Sequence, residues 1–244
     1  MPELAVFDVD ETILTIKGLF SFAEYFFCQY DGADGLVQGQ PFADWLAGLR
    51  VTARSQSREQ VNRLFYTAFA NQSAARMERC AEEWCARLLQ SGQGTFVQAT
   101  LSALQWYRGR GLPVVLLSGS ARLFLSPLAK VLDATHVLAI ELEVDRTGTL
   151  TGCILPPQTI GDGKWQALAA FLDKVGIAAR DCIGYGDHPT DLPFLIRLGE
   201  AVIVEGNEEM ENLAAAHGWS ILPRVATDFS VPSRDLSSAR RSVP

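Results

Sequence analysis

Cysteine and histidine are scarce in this chain, and neither follows a metal-binding or redox spacing. The 244 residues contain five cysteines and three histidines. The cysteine count is odd and no two cysteines form a C-x-x-C pair, so neither a disulfide framework nor a cysteine-based zinc site is indicated. The histidines lie too far apart to suggest a zinc site of their own. We therefore expect reduced thiols buried in the protein core.

Long apolar runs and clusters of basic residues are also missing. No apolar run approaches the roughly 18 residues that a membrane-spanning helix needs, and no charged-then-apolar leader with a small-residue cleavage site is present. The net charge is −7, and no basic cluster offsets it, which argues against a nucleic-acid partner. The predicted location is therefore the cytoplasm, and the oligomeric state is left open.

The composition that remains is typical of a globular enzyme. Apolar residues make up 48% of the chain, and there is no long low-complexity tract. A chain of this length can bury a large core. The simplest organisation is one α/β domain that carries an insertion.

Two aspartates follow directly on a short apolar run near the start of the chain. Leu4-Ala5-Val6-Phe7 has the length and composition of a buried parallel strand, and Asp8-Val9-Asp10-Glu11-Thr12 comes next. Open α/β sheets bind ligands beyond the carboxyl ends of such strands. Taken alone, aspartate and threonine in this position are equally typical of a turn or a helix cap.

Three further polar motifs occur in the same kind of context. Val114-Val115-Leu116-Leu117 runs into Ser118-Gly119-Ser120. Gly161-Asp162-Gly163-Lys164 opens a stretch with helical periodicity, and Cys182-Ile183-Gly184-Tyr185 leads into Gly186-Asp187-His188-Pro189-Thr190-Asp191. Four such motifs in succession favour a catalytic role over four unrelated turns.

In order and spacing, these motifs resemble those of the haloacid-dehalogenase-like (HAD) phosphohydrolase superfamily: DxDxT, a strand-end serine or threonine, a lysine, and GDxxxD. The resemblance covers roughly residues 4 to 222 and extends to subfamily IB, the branch that contains the phosphoserine phosphatases. It implies a doubly wound, Rossmann-like parallel sheet. It also implies a helical-bundle cap inserted after the first strand.

The chemistry of phosphomonoester hydrolysis assigns a role to each motif. Asp8 is the predicted nucleophile, because a carboxylate can form an aspartyl-phosphate, and Asp10 is the predicted acid and then base. Ser118 and Gly119 are predicted to bind the phosphoryl oxygens, and Lys164 to offset their charge. Mg²⁺ prefers oxygen ligands, which Asp8 and Asp187 supply. The resemblance implies two further groups at the metal ion: the main-chain carbonyl of Asp10 as a ligand, and Asp191, which acts through water.

The segment between the first two motifs is longer than a direct crossover requires, and its pattern is helical. Ser57 and Gln60 have the spacing of a capping box, Ser73 opens a second helix, and Gly92 ends it. We predict about four helices in a cap at residues 14–92, a core at residues 1–13 and 93–222, and a loosely held tail at residues 223–244. A helix near residues 95–109, a hairpin formed by 138–143 and 150–154, and a final strand-helix-strand unit at 201–222 complete the core.

The positive charge of Lys17 indicates which class of substrate the protein would accept. Phosphoserine phosphatases usually carry a glutamate in this part of the cap to pair with the substrate ammonium, and Lys17 would repel that group. We therefore predict a small organic phosphate other than phosphoserine as the substrate. Arg50, Arg54 and Arg58 recur at four-residue spacing, which favours a solvent-exposed face.

Two other classes of function stay open at this level. A phosphotransferase or mutase would use the same residues and pass the phosphoryl group to a sugar hydroxyl instead of water. A non-catalytic binding protein is the third possibility, although every catalytic position is filled.

Overall fold

The computed structural model describes residues 1–224, apart from the Gln93 side chain, and its centre is a seven-stranded sheet. The strands lie in the order β6-β5-β4-β1-β7-β8-β9, and β2 and β3 form a separate two-stranded hairpin. The bounds of the strands are β1 Leu4–Phe7, β2 Leu36–Val37, β3 Gln40–Pro41, β4 Val114–Ala121, β5 His136–Val144, β6 Leu150–Leu155, β7 Cys182–Gly186, β8 Glu200–Val204 and β9 Ser220–Leu222.

Strand β1 occupies the middle of the sheet and is buried on both faces. It pairs in parallel with β4, where Ala5 lies opposite Val114, and with β7, where Leu4 lies opposite Cys182. Alternate side chains point to opposite faces: Ala5 and Phe7 join one apolar cluster, and Leu4 and Val6 join the other. This two-sided burial explains why β1 is continuously apolar.

Helices cover both faces of the sheet, which confirms the predicted doubly wound α/β fold. Helices α5 and α6 contribute Leu104 and Phe124 to the cluster on one face. Helices α7 and α9 contribute Leu168 and Met210 to the cluster on the other. The bounds of the helices are α1 Gly18–Cys28, α2 Phe42–Thr52, α3 Arg58–Tyr66, α4 Ala74–Gln90, α5 Gln98–Arg108, α6 Arg122–Val131, α7 Asp162–Val175, α8 Leu192–Leu195 and α9 Glu208–His217.

The predicted elements of the insertion are present. Helices α1 to α4 lie between β1 and β4, and α3 begins with the predicted capping box, in which Ser57 Oγ accepts the Gln60 N–H and Gln60 Oε1 accepts the Ser57 N–H. Phe22 of α1 stacks on Phe124 of α6 with ring centroids 4.5 Å apart. Aromatic packing therefore joins the inserted helices to the sheet domain.

Several predicted details are confirmed and one, the end of β4, is wrong. The hairpin exists as antiparallel β5 and β6, and β8, α9 and β9 form the final unit. Ser118 to Ser120 do not follow β4, as predicted, but belong to it, and the register of β4 against β5 shifts between Ser118 and Ala121. The backbone there remains paired to β5, so the strand continues beyond its apolar residues.

The expectation of buried thiols is wrong for two of the five cysteines. All five are free; Cys80, Cys85 and Cys182 are buried, whereas Cys28 and Cys153 are exposed. Cys28 ends α1, and Cys153 lies on β6, an edge strand of the sheet, so each has a side open to solvent.

The division into core and cap stays a prediction, and residues 225–244 of the predicted tail lie outside the described residues. Within residues 1–224, no helix combines the length and apolar character that crossing a bilayer requires.

Candidate active site

Three neighbouring strands bring the predicted motifs to one edge of the sheet. Asp8 follows β1, Ser118 lies in β4, and Asp187 follows β7. The three strands are parallel neighbours, so their carboxyl ends coincide. All three side chains are buried.

Lys164 links two aspartates inside this buried site. Its Nζ atom lies 2.5 Å from Asp8 Oδ1 and 2.5 Å from Asp191 Oδ1, and no more than 8% of any of the three side chains is exposed. Burial by itself would lower the pKa of Lys164, but attraction to Asp191 and Asp8 outweighs burial and raises it. Lys164 is therefore held as a cation between two carboxylates.

Asp187 completes an acidic cluster with Asp8 and Asp191. A carboxylate oxygen from each lies within 4.8 Å of the others. Thr12 Oγ1 donates to Asp187 Oδ1 over 2.9 Å, and Asp191 Oδ2 accepts the N–H groups of Asp187 and His188, each at 3.2 Å. These bonds hold the loop after β7 around the cluster.

The charge of this cluster suits a divalent cation. Burial raises the pKa of Asp8 well above its usual range, and the neighbouring carboxylates add to the rise although Lys164 opposes it. Burial, and then Asp191, raise the pKa of Asp187 to about 6. When all three carboxyl groups are ionised, they and the Lys164 ammonium carry a net charge of −2, and all the candidate ligand atoms are oxygens, as hard divalent metals prefer.

Asp10 is held apart from this cluster by two hydrogen bonds. Gly18 donates its N–H to Asp10 Oδ1 and Ser120 donates its hydroxyl to Asp10 Oδ2, both over 2.8 Å. Burial raises the pKa of Asp10, while the bonds from Ser120 and Gly18 oppose the rise. The Asp10 side chain is therefore oriented, and its proton is easier to retain than that of an exposed aspartate.

The backbone of β4 arranges the other predicted phosphate-binding residues. The Ser120 N–H donates to Ser118 Oγ over 3.0 Å. The carbonyl of Gly119 accepts from Asn62 Nδ2 at 3.1 Å and from the Tyr66 hydroxyl at 3.2 Å. A Cβ at Gly119 would lie 2.8 Å from Ile160 Cγ1, which explains the glycine. Helix α3 is thereby fastened to the strand that carries Ser118.

A cavity of about 170 Å³ lies between the inserted helices and the sheet edge, and Gly119 lines it whereas Ser118 does not. Its polar wall includes Asp8, Asp10, Lys164, Asp187 and Asp191. Its apolar wall comes mainly from the inserted helices and consists of Leu19, Phe20, Leu49, Val61, Phe65 and Ile160.

Lys17 also lines the cavity, but the sequence did not reveal its partner. Lys17 Nζ lies 3.3 Å from Glu11 Oε2, and both side chains are partly exposed. Glu11 adopts a φ of 63°, which turns the loop after β1. The charge of Lys17 is therefore partly offset within the chain.

Motif analysis gave no role in the site to three other residues. Ser120 and Asn62 contact Asp10 and Gly119 as described above, and Arg58 lines the cavity. Arg58 belongs to the arginine row that we predicted to face solvent; it is exposed, yet its Nη1 atom lies 2.5 Å from His188 Nε2. The capping box at Ser57 located the start of α3, but no sequence signal indicated that Arg58 faces the cavity.

The fold and this centre together define a Rossmann-like hydrolase built around paired aspartates and a buried lysine. The family model for haloacid dehalogenase-like hydrolases matches residues 5–195, and the chain belongs to this family. The predicted resemblance is confirmed.

Curated relatives support the phosphoserine-phosphatase-like branch. A probable phosphatase of Mycobacterium tuberculosis is 33% identical over 112 residues, which cover 46% of this chain and 38% of that protein. A phosphoserine phosphatase of the same organism is 28% identical over 139 residues, which cover 55% of this chain and 44% of that protein. The chain thus matches less than half the length of either relative.

Solved structures share the fold over most of the chain. A protein of unknown function from Bordetella pertussis has a TM-score of 0.78 at 19% identity and covers 91% of this chain and 98% of its own. A substrate-bound phosphoserine phosphatase has a TM-score of 0.62 at 16% identity and covers 87% and 90%. At these identities the similarity establishes the fold alone.

Proposed function

We propose that this protein is a Mg²⁺-dependent phosphatase that hydrolyses a small phosphomonoester through an aspartyl-phosphate on Asp8. The observation that carries the proposal is the buried contact of Lys164 with both Asp8 and Asp191, 2.5 Å from each. A lysine in this position neutralises the nucleophile and can also face incoming phosphoryl oxygens. Family membership and the phosphatases among the relatives support the same conclusion.

The hydrolysis proceeds in two steps. An oxygen of Asp8 attacks phosphorus and the bond to the leaving alkoxide breaks, while Asp10 gives that alkoxide its proton. Water then attacks the aspartyl-phosphate, Asp10 takes back a proton, and phosphate leaves with Asp8 restored. The Ser120 hydroxyl suits both states of Asp10, since it can donate to a carboxylate or accept from a carboxylic acid.

Asp8, Asp187 and the main-chain carbonyl of Asp10 would hold the metal ion, with Asp191 behind them. When bound, Mg²⁺ would offset the charge that gathers on the phosphoryl oxygens. Ser118 and Gly119 would bind those oxygens from β4. The net charge of −2 that the ionised carboxylates carry together with Lys164 supports a divalent ion here.

The inserted helices would act as a cap, residues 14–92, that closes over the reacting groups and limits water. The substrate would be a small phosphate ester other than phosphoserine, because the Lys17 ammonium lines the cavity and would repel an ammonium on the substrate. The pairing of Lys17 with Glu11 weakens this repulsion without reversing its sign.

The test is phosphate release from p-nitrophenyl phosphate with and without Mg²⁺, in wild type and in Asp8→Asn. We expect release that requires the metal and falls by at least about a thousandfold in Asp8→Asn, since the nucleophile is removed. Asp173→Asn, an exposed change on α7, is the matched control. Release by Asp8→Asn at the wild-type rate would refute the mechanism, and phosphoryl transfer to an added alcohol in place of water would identify a phosphotransferase.

A further inference from the structure

The peptide group between Gly119 and Ser120 lies between a helix of the insertion and the predicted catalytic acid. Its carbonyl accepts hydrogen bonds from Asn62 and Tyr66 of α3. The Ser120 hydroxyl donates to Asp10 Oδ2 over 2.8 Å. Helix α3 and Asp10 are therefore joined through one peptide group of β4.

The direction of the hydrogen bonds at this carbonyl follows from the groups around it. Gln158 Nε2 lies 2.9 Å from the main-chain oxygen of Glu59, which can only accept, so the Gln158 amide presents an N–H there. The same Nε2 atom lies 3.0 Å from Asn62 Oδ1, which leaves Asn62 Nδ2 as the atom that faces Gly119. The Tyr66 hydroxyl donates as well, because a carbonyl offers no hydrogen. Both side chains therefore donate to the Gly119 carbonyl.

These contacts are shielded from solvent. Tyr66 and Ser120 are 0% exposed, and Asn62 is 6% exposed. A buried hydrogen bond is stronger than one in water, and a buried carbonyl that loses its donors carries the cost of the unmade bonds. The peptide group should therefore keep its orientation only while α3 is seated on β4.

The other end of this connection orients the carboxyl group of Asp10. Ser120 holds Oδ2, and the Gly18 N–H donates to Oδ1 over 2.8 Å. One oxygen is thus held from β4 and the other from the first residue of α1. A general acid must lie within hydrogen-bond reach of the atom that it protonates. A shift of Ser120 would turn the carboxyl group and move its proton away from the leaving oxygen.

We propose that Asn62 and Tyr66 are positioning residues for Asp10 and act on it through the Gly119–Ser120 peptide group. The proposal rests on the proposed phosphatase function, in which Asp10 gives its proton to the leaving oxygen as the bond from that oxygen to phosphorus breaks. The seating of α3 and the alignment of the acid are then one event. Esters with a poor leaving group need this proton, whereas a nitrophenolate leaves without it.

The test compares kcat/KM for two esters of similar shape, p-nitrobenzyl phosphate and p-nitrophenyl phosphate. The benzyl ester releases an alkoxide and depends on the acid, whereas the phenyl ester does not. The constant kcat/KM covers the steps up to the departure of the first product, so hydrolysis of the aspartyl-phosphate does not enter. The measured quantity is the leaving-group ratio, which is kcat/KM of the phenyl ester divided by that of the benzyl ester. This ratio does not change with the fraction of protein that is folded.

The variants remove the connection at either end. Ser120→Ala, which removes a single oxygen, should raise the leaving-group ratio by about tenfold to a hundredfold, a part of what general acid catalysis contributes. The double change Asn62→Leu with Tyr66→Phe should raise the ratio by a similar factor, because the Gly119 carbonyl loses both donors. Either change alone should raise it by less than about threefold, since the other donor remains.

Combining the three changes distinguishes a shared path from separate damage. If the effects pass through Ser120, the triple variant should have the ratio of Ser120→Ala alone, because changes along one path are not additive. If the double change prevents folding, Tyr66→Phe with and without Ser120→Ala gives the same comparison. The matched control is Tyr25→Phe, which should keep the wild-type ratio: Tyr25 is a buried tyrosine of the insertion whose hydroxyl donates to Glu83 Oε2 over 3.2 Å.

A wild-type ratio in both Ser120→Ala and the double variant would overturn the proposal, and so would a triple variant in which the two effects multiply. A wild type that hydrolyses only the phenyl ester would also overturn it, because no acid would then reach the leaving oxygen. Each of these results leaves the proposed phosphatase intact, since p-nitrophenyl phosphate is still hydrolysed. Failure of wild type to hydrolyse either ester would instead refute the proposed function.

Discussion

Replacing Lys164 by methionine removes the cation that separates two buried carboxylates. Its side chain is 5% exposed and contacts Asp8 and Asp191, which are 8% and 1% exposed. Removing one partner of a buried ion pair costs about 3–5 kcal/mol of unfolding free energy. For a chain of this size that corresponds to a fall in melting temperature of roughly 6–20 °C.

The loss of stability should depend on pH in a definite direction. Lys164 lowers the pKa of Asp8, which burial raises, so Lys164→Met should raise that pKa further. A carboxyl group with a raised pKa binds more protons in the native than in the unfolded protein, and the unfolding free energy then falls as pH rises. The loss of unfolding free energy that the raised pKa causes is absent below the unfolded carboxyl pKa of about 3.9. It grows as pH rises from there toward the native pKa of Asp8.

Urea denaturation of metal-free protein in EDTA at several pH values measures this effect. Lys164→Met should be less stable than wild type at pH 8 and approach it in acid, and its phosphatase activity with Mg²⁺ should fall by about a hundredfold to a thousandfold. Lys174→Met, an exposed lysine on the same helix, should match wild type. A Lys164→Met protein with wild-type stability at pH 8, or with a penalty that increases in acid, would refute the electrostatic account.

Two further predictions concern the metal and the thiols. Mg²⁺ should raise the melting temperature of wild type, because it relieves repulsion within the acidic cluster. Asp187→Asn should lose most of this shift, as measured by differential scanning fluorimetry. A shift as large as that of wild type would show that Asp187 does not hold the metal. Iodoacetamide should modify two of the five free cysteines of the native protein, since burial raises the pKa of both Cys80 and Cys182 to about 12. The expected reactive residues are Cys28 and Cys153, which are exposed. Intact-mass measurement at pH 8 counts the adducts. Rapid modification of more than two cysteines would contradict the buried positions of the other three.

Local patterns were sufficient wherever neighbouring residues decide the structure. The apolar run of β1 and the capping box before α3 both depend on residues a few positions apart, and both are present. The end of β4 was placed too early, because its polar residues suggested a turn while backbone pairing with β5 continues to Ala121. Side-chain polarity alone does not end a strand that remains hydrogen-bonded to its neighbour.

The candidate site likewise contains contacts that the sequence predicted and contacts that it could not predict. The context of the four motifs predicted that Asp8, Ser118, Lys164 and Asp187 meet. The parallel order of β4, β1 and β7 brings Ser118, Asp8 and Asp187 to one edge of the sheet, and Lys164 reaches Asp8 from the start of α7. The sequence could not predict that Lys17 pairs with Glu11, since the geometry of that loop depends on the left-handed conformation at Glu11.

The sequence by itself determined the family, the sheet and the identity of the four motifs, because each is encoded in a short segment with its own periodicity. Only the tertiary structure decided which distant side chains contact one another around the site. Ser120 meets Asp10 across 110 positions, and Arg58 meets His188 across 130. Such contacts depend on how the inserted helices pack against the sheet, and packing is the sum of many distant apolar contacts that no local pattern records.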